Sequence, residues 1–124
     1  MSRILLADDD VVQLKLRLRM LEAAGHEVSM ATGPSETLWQ LEQSWDLLIM
    51  DLRFLNGTGQ ADYREGLSLI RRIREMGNGV PVVVLSGWPD DLYGQPEEKM
   101  VSRVMLKPVA SRELLATVAE LTAA

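Results

Sequence analysis

The chain predicts an α/β fold: a parallel five-stranded sheet, doubly wound with helices on both faces. Two observations carry this. Short apolar runs alternate five times with stretches of helix-forming residues, and right-handed crossovers turn that order into a parallel sheet with helices on each side. The strongest runs also stop abruptly at a polar residue: ILLA at Asp8, LLIM at Asp51, VVVL at Ser86. Continuous apolar runs bounded in this way suit strands buried on both faces. At 124 residues, 47% hydrophobic and 25% charged, residues 1–124 read as one domain with a substantial core.

Taken in order, residues 4–7 form the first strand and meet Asp8, Asp9 and Asp10. Residues 11–24, rich in Leu, Arg, Lys and Met, predict a helix that Gly25 closes. One aspartate suffices to cap its start, which leaves the others unexplained. Residues 26–31 predict a weaker strand. Pro34 suits the first turn of a helix over 35–43 that buries Leu38 and Leu41. Residues 47–50 lead to Asp51, and Gly57 and Gly59 mark 53–65 as a long loop. A helix over 66–76 buries Leu67, Leu69, Ile70 and Ile73. Residues 82–85 are the most hydrophobic run and predict a central strand. Residues 90–100 predict only a short or irregular helix. A last strand spans 103–106, and Ser111 caps a final helix burying Leu114, Leu115, Val118 and Leu121.

Composition excludes several chemistries. Net charge is −5, which does not suggest generic nucleic-acid binding. With no Cys there are no disulfides, thiolate nucleophiles or cysteine metal sites. The sole His, His26, argues against a histidine zinc site or a Ser-His-Asp triad. The apolar N-terminal segment is too short for a signal peptide, and no segment approaches the length of a membrane span. A cytoplasmic protein is expected.

In a parallel sheet the residues that follow the strands gather at the carboxyl edge, where open α/β sheets place their ligands. That brings Asp8, Asp9, Asp51, Ser86 and Lys107 together. Taken alone, Asp51 could simply end its strand. As a set, three crowded carboxylates require either protonation or a cation. An oxygen-only site with room for water suits Mg²⁺. Lys107 supplies a point charge for phosphate, and Ser86 can donate one more hydrogen bond. Such an arrangement serves phosphoryl transfer, and a carboxylate can itself be the nucleophile.

The motifs ILLADDD, LLIMD, VVVLSG and VMLKP, in this order from end to end of the chain, resemble those of response-regulator receiver domains, the phospho-accepting half of two-component signalling. The resemblance implies a flavodoxin-like fold with strand order 2-1-3-4-5. It implies Asp51 as phospho-acceptor and Asp8, Asp9, Asp51 and the Arg53 backbone carbonyl as the Mg²⁺ ligands, with Asp9 favoured over Asp8 as the direct ligand from the acidic pair. Ser86 and Lys107 would hold the phosphoryl group, with a cis bond between Lys107 and Pro108, while Asp10 caps the helix. The implied partner is a histidine kinase or histidine phosphotransfer protein, with homodimerisation possible, and no membrane or direct nucleic-acid contact. As a switch, the domain would catalyse only its own phosphorylation and dephosphorylation.

The chain departs from the family pattern in three places. The loop after Asp51 is longer than usual and lacks the usual Pro, with Gly66 matching the Gly that opens the next helix. It is either a tolerated insertion or a cover and recognition surface made by Phe54, Leu55 and Tyr63. Val104 stands where the family has a Tyr or Phe that swings inward on phosphorylation. The segment SGWPDD…VMLKP resembles receivers attached to hybrid sensor kinases. The chain also ends about where a receiver ends, as a single-domain regulator or a domain cut from a longer protein.

Two other functions compete. A Mg²⁺-dependent phosphatase with an Asp nucleophile usually has a second Asp two residues on; here that residue is Arg53. A phosphorylation-independent binding receiver commonly lacks an acidic residue or the Lys; here all are present. A flavin protein of the same fold is weaker still, because no phosphate-cradling loop follows Ala7. Finally, the first helix carries two apolar stripes. By the resemblance to receivers, the stripe Leu16, Met20 and Ala24, with Leu21 beside it, is expected on the sheet. Val11, Leu14 and Leu18 are expected outside, either as a contact surface or covered by Arg and Lys stems or by the final helix.

Overall fold

The structure, a computed structural model, describes residues 2–123. Five parallel strands make the central sheet: β1 (Arg3–Ala7), β2 (Glu27–Ala31), β3 (Leu47–Asp51), β6 (Val82–Ser86) and β7 (Arg103–Leu106), in the order β2-β1-β3-β6-β7. With the small hairpin β4 (Phe54–Leu55) and β5 (Ala61–Asp62) set aside, this is the 2-1-3-4-5 order of the flavodoxin-like fold. The helices are α1 (Val11–Ala23), α2 (Pro34–Gln40), α3 (Tyr63–Glu75) and α4 (Ser111–Thr122). Two short 3₁₀ turns, Pro89–Asp91 and Pro96–Met100, replace a regular helix between β6 and β7.

Alternating side chains of the strands feed two cores, as strand geometry requires. Leu5, Leu48, Met50, Val82 and Val84 pack with Leu67, Leu69, Ile70 and Ile73 of α3. Ile4, Leu6, Leu47, Ile49, Val83 and Leu85 pack with α1 and α4. The register aligns Ala7 with Met50, Asp51 with Leu85 and Ser86 with Leu106. The strand ends therefore lie level, and the residues that follow them share one edge.

On α1 the expectation holds for Leu21 and Met20, which pack toward the sheet, and for Val11, which is exposed, but it is reversed for Leu14, Leu18, Leu16 and Ala24. Leu14 and Leu21 are fully buried, and Leu18 packs beside them against the sheet. Leu16 is 55% exposed, and Ala24 is exposed. Residues 14, 18 and 21 follow the i, i+4, i+7 rule of a single buried stripe. The segment LKLRLRM alternates apolar and basic residues, so it spreads its Leu around the helix and hides that stripe.

Three local expectations also change. Ser111 is the first residue of α4; Ala110 precedes it as cap, and no side-chain cap bond forms. The helix after the long loop begins at Tyr63 rather than Gly66, because Asp62 caps it by accepting from the Arg64 amide. Leu38, Leu115 and Leu121 are half-buried, while Thr37 and Thr117 take fully buried places. Asp10 does cap α1, accepting from the Gln13 amide at 3.2 Å.

Gly66 has a packing role. Its amide donates to the Leu52 carbonyl at 3.1 Å, and a Cβ there would lie 2.2 Å from that oxygen. Only glycine lets α3 pass so close to the chain leaving β3.

Candidate functional site

Asp51 ends β3, and its Oδ2 lies 2.6 Å from Lys107 Nζ. Its Oδ1 accepts from the Arg53 amide at 3.2 Å. Lys107 follows β7, where its own amide donates to the Ser86 carbonyl at 2.8 Å; the Lys107–Pro108 bond is cis. Ser86 is buried at the end of β6. Its Oγ accepts from the Trp88 amide at 3.0 Å, which leaves the hydroxyl proton free to donate.

The acidic pair divides. Asp8 is 1% exposed. Its Oδ1 accepts from the Asp10 amide at 2.9 Å, and its Oδ2 lies 3.0 Å from Arg17 and 3.9 Å from Lys107 Nζ. Burial pushes the Asp8 carboxyl above its ordinary value; the Asp10 amide and Arg17 oppose that rise, and the Asp51 charge adds to it. Asp9 turns elsewhere: its Oδ2 accepts from the Leu55 amide of the hairpin at 2.7 Å. Among the described residues no group of three carboxylates or imidazoles is disposed to hold a metal ion as the side chains stand. Asp8, Asp51, Ser86 and Lys107 come together, and Asp9 stands beside them, committed to the hairpin.

Two further contacts were not foreseen. Arg17, at the middle of α1, reaches back to Asp8; the alternating LKLRLRM pattern hides which of its basic residues lies toward the edge. Arg53 forms a forked ion pair with Asp91, at 2.8 and 3.2 Å, and its guanidinium lies over the Trp88 ring. This bridge ties the chain leaving β3 to the 3₁₀ turn after β6. The Asp91 hydrogen bonds hold the Arg53 guanidinium above even its usual high value.

The long loop is closed by its own hydrogen bonds. Asn56 Oδ1 accepts from the Thr58 and Gln60 amides, and Gly59 takes φ +80, which suits a glycine at the turn. Phe54 is fully buried and anchors the hairpin, while Leu55 is 56% exposed. A groove of about 700 Å³ runs from Lys107 and Pro108 along Leu16, Arg17 and Met20 of α1 to Leu114 of α4.

Comparison with known proteins fits this geometry. The profile of the response regulator receiver domain matches residues 4–119. The "Transcriptional regulatory protein CpxR homolog" of Haemophilus influenzae is 31% identical over 121 residues, covering 95% of this chain and 49% of that protein. The "Sensory/regulatory protein RpfC" of Xanthomonas campestris pv. campestris is 33% identical over 125 residues, covering 96% of this chain and 16% of that protein. The chain thus spans half or less of these relatives. Among solved structures, the response regulator TrrA of Thermotoga maritima, in complex with Mg²⁺-BeF, superposes with a TM-score of 0.81 at 23% identity, covering 98% of this chain and 99% of that one. A receiver domain of Methylobacillus flagellatus gives a TM-score of 0.82 at 18% identity, with 98% of each chain covered.

Proposed function

We propose, from the premise that this chain belongs to the response regulator receiver domain family, that Asp51 is the residue on which this phospho-accepting domain of two-component signalling carries its phosphoryl group. The observation that carries the assignment is the Lys107 ammonium, 2.6 Å from Asp51 and 3.9 Å from Asp8 at the carboxyl edge of the sheet. An Asp51 oxygen attacks the phosphorus of a phosphohistidine on a kinase or phosphotransfer protein. The P–O bond forms as the P–N bond breaks, and the imidazole leaves with the electron pair and takes up a proton. Lys107 moves its charge from the carboxylate to the transferred oxygens, and Ser86 donates to one of them.

The residues present fit a hard dication. Their donors are all oxygens, and Asp8 and Asp51 crowd one ammonium in a partly buried place. Asp8, Asp9, Asp51 and the Arg53 carbonyl are the groups that would hold Mg²⁺, which when bound neutralises charge on the transferring oxygens. The domain accelerates only its own phosphorylation and dephosphorylation. Arg53, engaged with Asp91, leaves no acid or base at the position a phosphatase would use. We read residues 1–124 as one receiver unit working in the cytoplasm; among the described residues no helix is long and apolar enough to cross a membrane.

Intact mass measurement after incubation with acetyl phosphate and Mg²⁺ tests the assignment. A gain of one phosphoryl group is expected in the wild type and not in Asp51→Asn. A gain that survives the substitution, or survives excess chelator, overturns it.

A further inference from the structure

The three edge carboxylates each have a partner within the protein: Asp51 has Lys107, Asp8 has Arg17, and Asp9 has the Leu55 amide. As they stand they do not converge on a metal position. Asp8 is buried, held by two hydrogen-bond donors and by the Lys107 charge at 3.9 Å, and Asp51 is fixed at a strand end beside Lys107. Asp9 is half-buried and makes a single side-chain hydrogen bond, to the hairpin, so it is the carboxylate that can be re-aimed at least cost.

The hairpin depends on the same bond. Asn56 donates across it to the Gln60 carbonyl, so Leu55, one residue earlier, faces its amide out of the ladder. Outside its own turn and the start of α3, the Asp9–Leu55 bond is the one hydrogen bond that ties residues 54–61 to the body among the described residues.

We propose that the hairpin and a divalent cation draw on the same Asp9 carboxylate, so that the docked hairpin weakens the cation and the bound cation undocks the hairpin. This rests on the reading that the edge takes a divalent cation. Linkage makes the effect reciprocal: whatever the hairpin takes from cation affinity, the cation takes from hairpin docking. Phe54 remains buried throughout as the anchor, so the strap is released at Leu55 and its turn.

Leu55→Pro removes the amide proton and spares the ladder, where this position donates nothing. Leu55→Ala keeps the proton and removes the side chain. Calorimetric titration of the full chain with MgCl₂ is expected to show about tenfold tighter binding for Leu55→Pro, within the usual range of site-to-site coupling. Leu55→Ala is expected to match the wild type. Amide hydrogen exchange in the wild type supplies a readout that needs no variant: Mg²⁺ should speed exchange over residues 55–61. Unchanged or weaker binding by Leu55→Pro, or slower exchange with Mg²⁺, overturns the strap while leaving the cation site intact. A wild type that binds no Mg²⁺ overturns both.

Discussion

The Arg53 guanidinium lies 3.6 Å from the centroid of the Trp88 ring while both of its forked nitrogens reach Asp91. Arg53 follows the end of β3 by two residues, and Trp88 follows the end of β6 by two residues. The stack therefore joins the chain leaving β3 to the chain leaving β6 and makes one unit of two side chains. Its Arg is held by charge and its Trp by the ring face.

Formed by residues that follow Asp51 and Ser86 by two positions, the stack is expected to screen a phosphoryl group on Asp51 from water. Arg53→Ala with Trp88→Ala is expected to shorten the phosphoaspartate lifetime about fivefold, the effect of roughly 1 kcal/mol in the hydrolysis barrier. Decay of the phosphorylated mass after removal of acetyl phosphate measures it. An unchanged or longer lifetime would mean that the stack does not screen the bond.

The face of α1 that meets the sheet carries Leu14 and Leu18. Leu14→Glu with Leu18→Glu is expected to unfold the domain, since a buried unpaired carboxylate costs about 3 kcal/mol or more. Leu16→Glu, on the exposed side beside the Lys107 groove, should leave the circular dichroism melt within about 0.5 kcal/mol of wild type. Slower phosphotransfer from a histidine kinase to this variant, measured by phosphorylated mass against time, would identify the exposed face of α1 as a docking surface.

Gly66→Ala drives a methyl into the Leu52 backbone, with 2.2 Å to the carbonyl oxygen and 2.7 Å to Cα. Backbone cannot yield as a side-chain tip can. A loss of about 2–3 kcal/mol is expected in urea titration, whereas alanine at Gly57, where a Cβ meets nothing within 4 Å, should be nearly neutral.

Asp62 is held well below the ordinary carboxylate range, first by the Arg64 guanidinium and then by the Arg64 amide. A depressed folded value makes ionisation favour the fold. Its contribution is full above the unfolded value of about 3.9 and is lost as pH falls through the lower folded value. Asp62→Ala should lower the thermal midpoint at neutral pH, and the gap should narrow in strong acid. A gap that widens in acid would reverse the sign.

The sheet was legible because four of its strands are unbroken apolar runs ending at polar residues, and that pattern also fixed which residues share the edge. The partners those residues choose were not. Nothing in ADDD separates an Asp8 turned inward to Arg17 from an Asp9 turned outward to Leu55; that depends on a hairpin whose strands are only two residues each, too short to show a period. The start of α3 could have been read earlier: Asp62 followed three residues later by Glu65 is the spacing of a capping box. The face of α1 could not be read from alternation alone, because a helix and a strand make different stripes from the same LKLRLRM.

Fixed points bracket the hairpin on either side: the ring of Phe54 sunk in the core and Gly66 pressed against Leu52. The span between them is thus independent of how many residues cross it. Chain added at the tip, around Gly57 and Thr58, changes closure entropy only slowly. The turn is in effect a socket, where a foreign peptide or reporter can be carried near the Asp51 carboxylate without loosening the sheet that aims it.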